Sequence, residues 1–221
     1  MVALFVIAIV LCAVTADYIV QRLAMPAHAL DGLFVDASHL WIQTEPSGLA
    51  RVGADAVACA LLDRSWRIDW APKGEVKRGA PLALIRGPGR RLTLRSPVDG
   101  EVVEQNTKFA AAMAHAAPSA FKDGWLVRLQ PKEIGPQLAA MKTGAKLREW
   151  SRQEMDRLRA FALSRLPAAA VGATAADGGP LAAGLAVRLS DNAWNEAVRL
   201  MLGEKQDDTS DLAAKVAGAS T

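Results

Sequence analysis

The hydrophobic positions of the chain fall into three patterns, each typical of a different kind of structure. Residues 2–20 are almost continuously apolar, and residues 36–130 contain short apolar runs broken by turns. Residues 144–204 carry apolar side chains three or four positions apart. These patterns are typical of a membrane span, of β-strands and of amphipathic helices. The sequence therefore predicts an anchor, a mainly β domain and C-terminal helices, in that order.

The N-terminal apolar run contains one charged residue, Asp17. Nineteen helical residues extend about 28 Å, which is enough to cross a hydrocarbon core about 30 Å thick. We predict a transmembrane anchor over residues 2–22 and a connector over residues 23–35. Arg22 follows the run directly, which favours a single-pass protein with most of the chain in the cytoplasm, as in a bacterial inner membrane. A cleaved signal peptide is the alternative, although no Lys or Arg precedes the run.

The middle of the chain has the composition of a small β-domain. Seven short runs rich in aliphatic and aromatic residues are separated by turns that contain Gly or Pro: HLWIQ, LARVG, RIDWA, LALI, LTLR, GEVVEQ and WLVRLQ. Many short strands with such turns are typical of a β-barrel or a flattened sandwich. We predict this domain over residues 36–145, with one or two helical turns within 54–63 and a loop with a short helix within 108–121.

The C-terminal part is predicted to contain two amphipathic helices. The first covers residues 146–166 and ends before Pro167, and a linker rich in Ala and Gly covers residues 167–187. The second covers residues 188–204 and is followed by a polar tail, residues 205–221, with the composition of a disordered segment. Its apolar face includes Trp194, Val198 and Met201. Such a helix either folds back on its own domain or docks on a partner, and the flexible tether favours docking.

Composition and motifs exclude several classes of function. The formal net charge of the 221 residues is +3, too small to indicate a nucleic-acid partner. The two cysteines, Cys12 and Cys59, have neither a second Cys nor a His at metal-ligand spacing. None of the three histidines belongs to a recognisable catalytic motif. We therefore predict that the protein is not an enzyme and holds no metal or cofactor.

Five stretches in the β region resemble, in order, the H protein of the glycine cleavage system, a member of the lipoyl/biotinyl domain superfamily. They are His39-Leu40-Trp41, Gly48–Gly53, Pro72–Gly79, Ser96–Val103 and Asp123–Leu126 followed by Pro131. The resemblance covers about residues 36–150 and implies a lipoyl-type β-barrel. It also implies a hairpin carrying a lysine that is lipoylated, so that the arm can shuttle intermediates between partner enzymes.

The lysine position of that hairpin falls on Gly89 when residues are counted forward from Gly79 and back from Pro97. Glycine has no side chain to acylate, and residues 79–107 contain no lysine. Arginine cannot take its place, because a guanidinium stays protonated and is not an amine nucleophile. The acidic residue that precedes the family's lysine is also replaced by Arg86. The sequence therefore predicts a degenerate H protein that has lost the carrier function.

The region around the hairpin that lacks the lysine is rich in positively charged residues. Residues 64–95 contain nine Lys or Arg but only Asp69 and Glu75 as acidic residues. In a lipoyl-like barrel Arg86, Arg90, Arg91 and Arg95 would share one hairpin, where guanidinium groups suit phosphate or carboxylate partners. Anionic lipid headgroups and an acidic surface of a partner subunit are both candidates, and a solvated surface without a partner is the alternative.

These observations predict a membrane-anchored structural or adaptor subunit of a larger membrane complex. An electron-transfer complex is one candidate for that larger complex. Two alternatives remain open. One is an electrostatic module that binds the membrane surface, and the other is a carrier with an unrecognised modification.

Overall fold

The computed structural model of the protein describes residues 32–63, 65–109, 124–166 and 185–203. The predicted anchor at 2–22 and the predicted tail at 205–221 lie outside these ranges, as does most of the segment 108–121. Within the described ranges, every helix is too short or too polar to span a membrane.

The described residues form nine β-strands and five helices. The strands are β1 (Leu33–Val35), β2 (Leu40–Thr44), β3 (Ala50–Ala54), β4 (Arg67–Trp70), β5 (Gly74–Val76), β6 (Pro81–Gly87), β7 (Arg90–Arg95), β8 (Gly100–Gln105) and β9 (Trp125–Pro131). The helices are α1 (Ala56–Ala60), α2 (Ile134–Leu138), α3 (Gly144–Arg165), α4 (Leu185–Arg188) and α5 (Asp191–Leu202). This arrangement confirms the predicted mainly β fold with added C-terminal helices, whereas the predicted transmembrane helix lies outside the described residues.

The strands make two antiparallel sheets. One has six strands in the order β1-β2-β3-β9-β8-β5, and the other has three in the order β4-β6-β7. Apolar side chains from both sheets are buried in one cluster, including Ile42 and Val127 from the larger sheet and Ile85 and Leu92 from the smaller. The cluster also contains apolar side chains of α1, α3, α4 and α5, so the C-terminal helices belong to the same hydrophobic core as the strands.

All seven predicted strand segments form strands, and the helical composition of 54–63 corresponds to α1. Four elements, β1, β5, α2 and α4, were not predicted, because each has five residues or fewer and is too short to leave a clear sequence pattern. Residues 33–35, assigned to the connector, form β1, which pairs with β2 and makes a bridge from Val35 to Lys142. Residues 185–187, assigned to the flexible linker, begin helix α4 and place Leu185 and Ala186 in the core.

A buried polar contact ties β2, α1 and α3 together. The Asp55 carboxylate accepts hydrogen bonds from the backbone N–H groups of Val57 and Ala58 at the start of α1, and its second oxygen lies 2.7 Å from His39 Nδ1. The His39 ring is 1% exposed and stacks on Trp150 of α3 with the ring centroids 4.7 Å apart. One carboxylate therefore caps a helix and satisfies a buried imidazole.

We expect Asp55→Ala to lower the free energy of unfolding by about 2–4 kcal/mol, because it removes a helix cap and leaves the buried His39 ring nitrogen without its partner. Asp156→Ala is the matched control, since its carboxylate makes only an exposed pair with Arg159 and should change stability by less than about 0.5 kcal/mol. Urea denaturation of both variants measures the difference. Equal stabilities would contradict the role of Asp55.

Candidate functional site

The hairpin of β6 and β7 ends in a two-residue turn, Pro88-Gly89, because Gly87 pairs with Arg90. Gly89 has a φ of +68°, in the left-handed region that residues with a Cβ rarely adopt. Proline followed by a residue with positive φ is the pattern of a type II turn. Pro88 and Gly89 are both exposed, so the turn that corresponds to the predicted lysine position lies at the tip of the hairpin.

Two tryptophans pack beneath this tip. A Cβ at Gly87 would lie 2.3 Å from the Trp66 ring, so only glycine leaves room for the indole there. The Trp66 ring meets the Trp194 ring of α5 edge to face, with centroids 5.4 Å apart. Trp194 is 1% exposed, and its Nε1–H donates to the Leu61 carbonyl oxygen at 2.8 Å. The indole therefore buries its apolar surface and satisfies its polar atom at the same time.

Arg90 joins the hairpin to the two C-terminal helices. Its side chain is 10% exposed, and its Nε–H donates to Asp191 Oδ1 at 2.7 Å. Its Nη2 donates to the Leu189 carbonyl oxygen at 2.6 Å, and its Nη1 donates to the Ala186 carbonyl oxygen. The guanidinium carbon also lies 5.6 Å from the centroid of the Trp194 ring.

All three groups that accept hydrogen bonds from Arg90 lie at the ends of helices. Ala186 and Leu189 lie at and just after the end of α4, where carbonyl oxygens have no partner within the helix. Asp191 lies in the first turn of α5, where a carboxylate interacts favourably with the helix dipole. One guanidinium thus binds the end of one helix and the start of the next.

The start of α5 lies next to the tip itself. A Cβ added to Gly89 would lie 3.5 Å from Asp191 Oδ2. A side chain at position 89 would therefore emerge against this carboxylate, from a backbone conformation that disfavours any residue with a Cβ. We call Gly87, Gly89, Arg90, Trp66 and the residues 186–194 that contact them the closed tip.

The four arginines predicted to form one basic patch do not all lie on one face of the hairpin. Arg86 forms an ion pair with Asp69, and Arg95 donates to the Gly79 carbonyl oxygen at 3.1 Å. Arg90 is enclosed by α4 and α5, and Arg91 is exposed. This corrects the expectation for Arg90, because successive residues of a strand point to opposite faces and Arg90 points to the face that the helices cover.

The prediction for the second helix also needs correction. Trp194, Val198 and Met201, expected to face a partner, are 1%, 5% and 4% exposed and belong to the protein's own core. The helix folds back because Trp66, Leu61 and Arg90 offer both an apolar surface and polar partners for Trp194. Sequence reasoning identified the apolar face of the helix but missed the contact residues Trp66 and Asp191, whose roles depend on residues about a hundred positions away in the chain.

The chemistry available near the core is limited. No group of three or more His, Cys, Asp or Glu side chains in the described ranges could hold a metal ion. Burial, with a smaller contribution from the charge of Asp55, raises the pKa of Cys59 to about 12. The thiol is therefore protonated at neutral pH and is a poor nucleophile.

Comparison with known proteins identifies the fold. A family model described as "Glycine cleavage H-protein" matches residues 33–154, more than half of the chain. The chain belongs to the glycine cleavage H-protein family. The match begins at β1 and ends inside α3, so α4 and α5, which close the tip, lie beyond the matched region.

Individual relatives are distant. The mitochondrial glycine cleavage system H protein of Mesembryanthemum crystallinum is 30% identical over 102 residues, which cover 46% of this chain and 62% of that protein. The H protein 2 of Aquifex aeolicus (strain VF5) is 25% identical over 122 residues, covering 53% and 76%. The solved H protein of Mycobacterium marinum is 26% identical, with a TM-score of 0.44, covering 54% of this chain and 96% of that one. The similarity thus spans about six tenths of the length of the plant relative.

The closed tip of this H-protein family member does not fit a lipoyl group. Attachment needs a side-chain amine at the turn, but Gly89 has none and no residue from 79 to 107 is a lysine. The carboxylate of Asp191 also lies beside the position from which an arm would leave.

We expect Arg90→Lys to destabilise the protein by about 1–3 kcal/mol, because an ammonium cannot reproduce the fork that reaches two carbonyl oxygens and a carboxylate. Arg91→Lys is the control at the adjacent, exposed position and should stay within about 0.5 kcal/mol of the parent. Thermal unfolding of the two variants measures the contrast. Equal loss in both would contradict the role of Arg90.

We expect Cys59 to react with iodoacetamide far more slowly in the native protein than in urea, because its pKa of about 12 leaves almost no thiolate at neutral pH. Peptide mass spectrometry reads Cys59 separately from Cys12. Labelling at the same rate in native and unfolded protein would contradict the raised pKa.

Proposed function

We propose that the protein is a non-enzymatic, lipoylation-incompetent member of the H-protein family that serves as a membrane-anchored structural or adaptor subunit of a larger membrane complex. One observation carries the proposal: the hairpin turn to which the sequence count assigns the lipoyl-lysine has a glycine, Gly89, beside the Asp191 carboxylate of the protein's own helix α5.

Three features support the loss of the lipoyl arm: the backbone conformation of Gly89, the Asp191 carboxylate beside it, and the aromatic rings packed beneath the turn. A lysine at position 89 would need a φ of +68°, a conformation that costs energy for any residue with a Cβ. The space beneath the tip is filled by the Trp66 and Trp194 rings. A lysine restored at position 89 would therefore adopt a strained backbone conformation next to the Asp191 carboxylate.

The adaptor role follows from what the chain retains. The two sheets of the H-protein-like fold share one hydrophobic core, and the added helices contribute to it. Within the described ranges, no side-chain cluster suited to metal chemistry is present, and the one described thiol, Cys59, is protonated. A barrel without an arm acts through its surface, and the apolar run at residues 2–20 supplies the proposed attachment to the membrane.

We expect the protein to keep the mass of the unmodified chain when it is expressed in cells that lipoylate a co-expressed, lysine-bearing H protein. The missing amine at position 89 is the physical reason, and the co-expressed protein is the control for lipoylation activity. Intact-mass spectrometry measures both proteins in one sample. A lipoyl or octanoyl mass on any lysine would refute the loss of the carrier function.

The adaptor role has its own test. The full-length protein, purified from its native membrane in mild detergent, should bring other membrane subunits with it in constant ratio. A protein that elutes alone under every gentle condition would contradict this role while leaving the missing lipoyl site unaffected.

A further inference from the structure

Three arginines lie in one row across the smaller sheet. The strand register pairs Arg67 of β4 with Arg86 of β6, and Arg86 with Arg91 of β7. Directly paired residues in an antiparallel sheet point to the same face. With strands about 4.8 Å apart, the row spans about 10 Å between its outer Cα atoms. We call Arg67, Arg86 and Arg91 the arginine row.

This arrangement is unfavourable for the isolated protein. Like charges directly opposite each other on neighbouring strands destabilise a sheet, and the row contains two such pairs. Asp69 pairs with Arg86 and offsets one charge. Within the described part of the chain, the Arg67 and Arg91 side chains form no ion pair or hydrogen bond, and both are exposed. The fold thus keeps two uncompensated guanidinium groups beside a third.

The row lies at the tip end of the hairpin. Arg91 follows Arg90 directly and points away from the face that α4 and α5 cover. Further along the face of Arg91, Leu84 and Thr93 are buried, so the exposed part of this face is its arginine end. An exposed guanidinium can donate two parallel hydrogen bonds to a phosphate group.

We propose that the arginine row is a docking surface for the phosphate headgroups of anionic lipids. This inference rests on the membrane anchor of the proposed function. Residues 23–31 can extend at most about 30 Å, so an anchored barrel would stay close to the bilayer surface. At the high effective concentration that a tether creates, a few weak contacts are sufficient for docking. A free acidic protein has no such advantage.

Arginine labelling in lipid nanodiscs tests the proposal on the full-length protein. The protein is reconstituted in discs of phosphatidylcholine alone and in discs of equal parts phosphatidylcholine and phosphatidylglycerol. It is then treated with phenylglyoxal and analysed by peptide mass spectrometry. Arg148, exposed on α3, is the internal control. We expect about fivefold less labelling of Arg67 and of Arg91 in the anionic discs, the factor for one headgroup contact per arginine, and no change at Arg148.

Two further measurements distinguish the possible results: the salt dependence of the labelling, and whether the protein co-elutes with the discs. Raising the ionic strength from about 0.1 M to about 1 M shortens the screening length from about 10 Å to about 3 Å and should remove the protection. Equal labelling of Arg67 and Arg91 in the two kinds of disc overturns the lipid proposal and leaves an acidic protein surface as the counter-charge. A protein that does not co-elute with discs refutes the anchor instead. In that case the protein is labelled with added vesicles of the same two lipid compositions. Less labelling of Arg67 and Arg91 with the anionic vesicles supports the lipid contact, and equal labelling overturns it.

Discussion

The largely buried guanidinium of Arg90 is the interaction on which the placement of helices α4 and α5 depends. A charge removed from water is costly unless it is paired and fully hydrogen-bonded. Here two helix carbonyls, one carboxylate and one indole ring surround it. Because each partner belongs to a different residue of the α4–α5 segment, the charge holds the end of one helix and the start of the next in fixed positions on the hairpin.

The small residues of the hairpin make this arrangement possible. Gly87 leaves room for the Trp66 ring, and Gly89 supplies the positive φ that closes the turn. The turn at Gly89 therefore lies beside the protein's own helix α5. The two faces of the hairpin differ: one packs against α4 and α5, and the other carries the arginine row.

The helices that close the tip are also part of the core. Trp194 and Val198 of α5 lie in the same buried cluster as strand residues of both sheets. Through Asp55, His39 and Trp150, helix α3 is attached to the larger sheet by a separate polar contact. The helices beyond the family match are thus part of the hydrophobic core that the two sheets share.

The mainly β fold, seven of the nine strands and the absence of an amine at Gly89 could be predicted from the sequence, because strand periodicity, turn residues and residue identity are local properties. The sequence did not predict β1 or β5, since three residues are too few to show a period. Only the tertiary structure distinguished Arg90 from Arg91, because the face to which each side chain points depends on strand register and on which helix covers it. The sequence also did not show what Trp194 contacts, because an apolar helix face does not reveal whether it packs against another protein or against the distant residue Trp66.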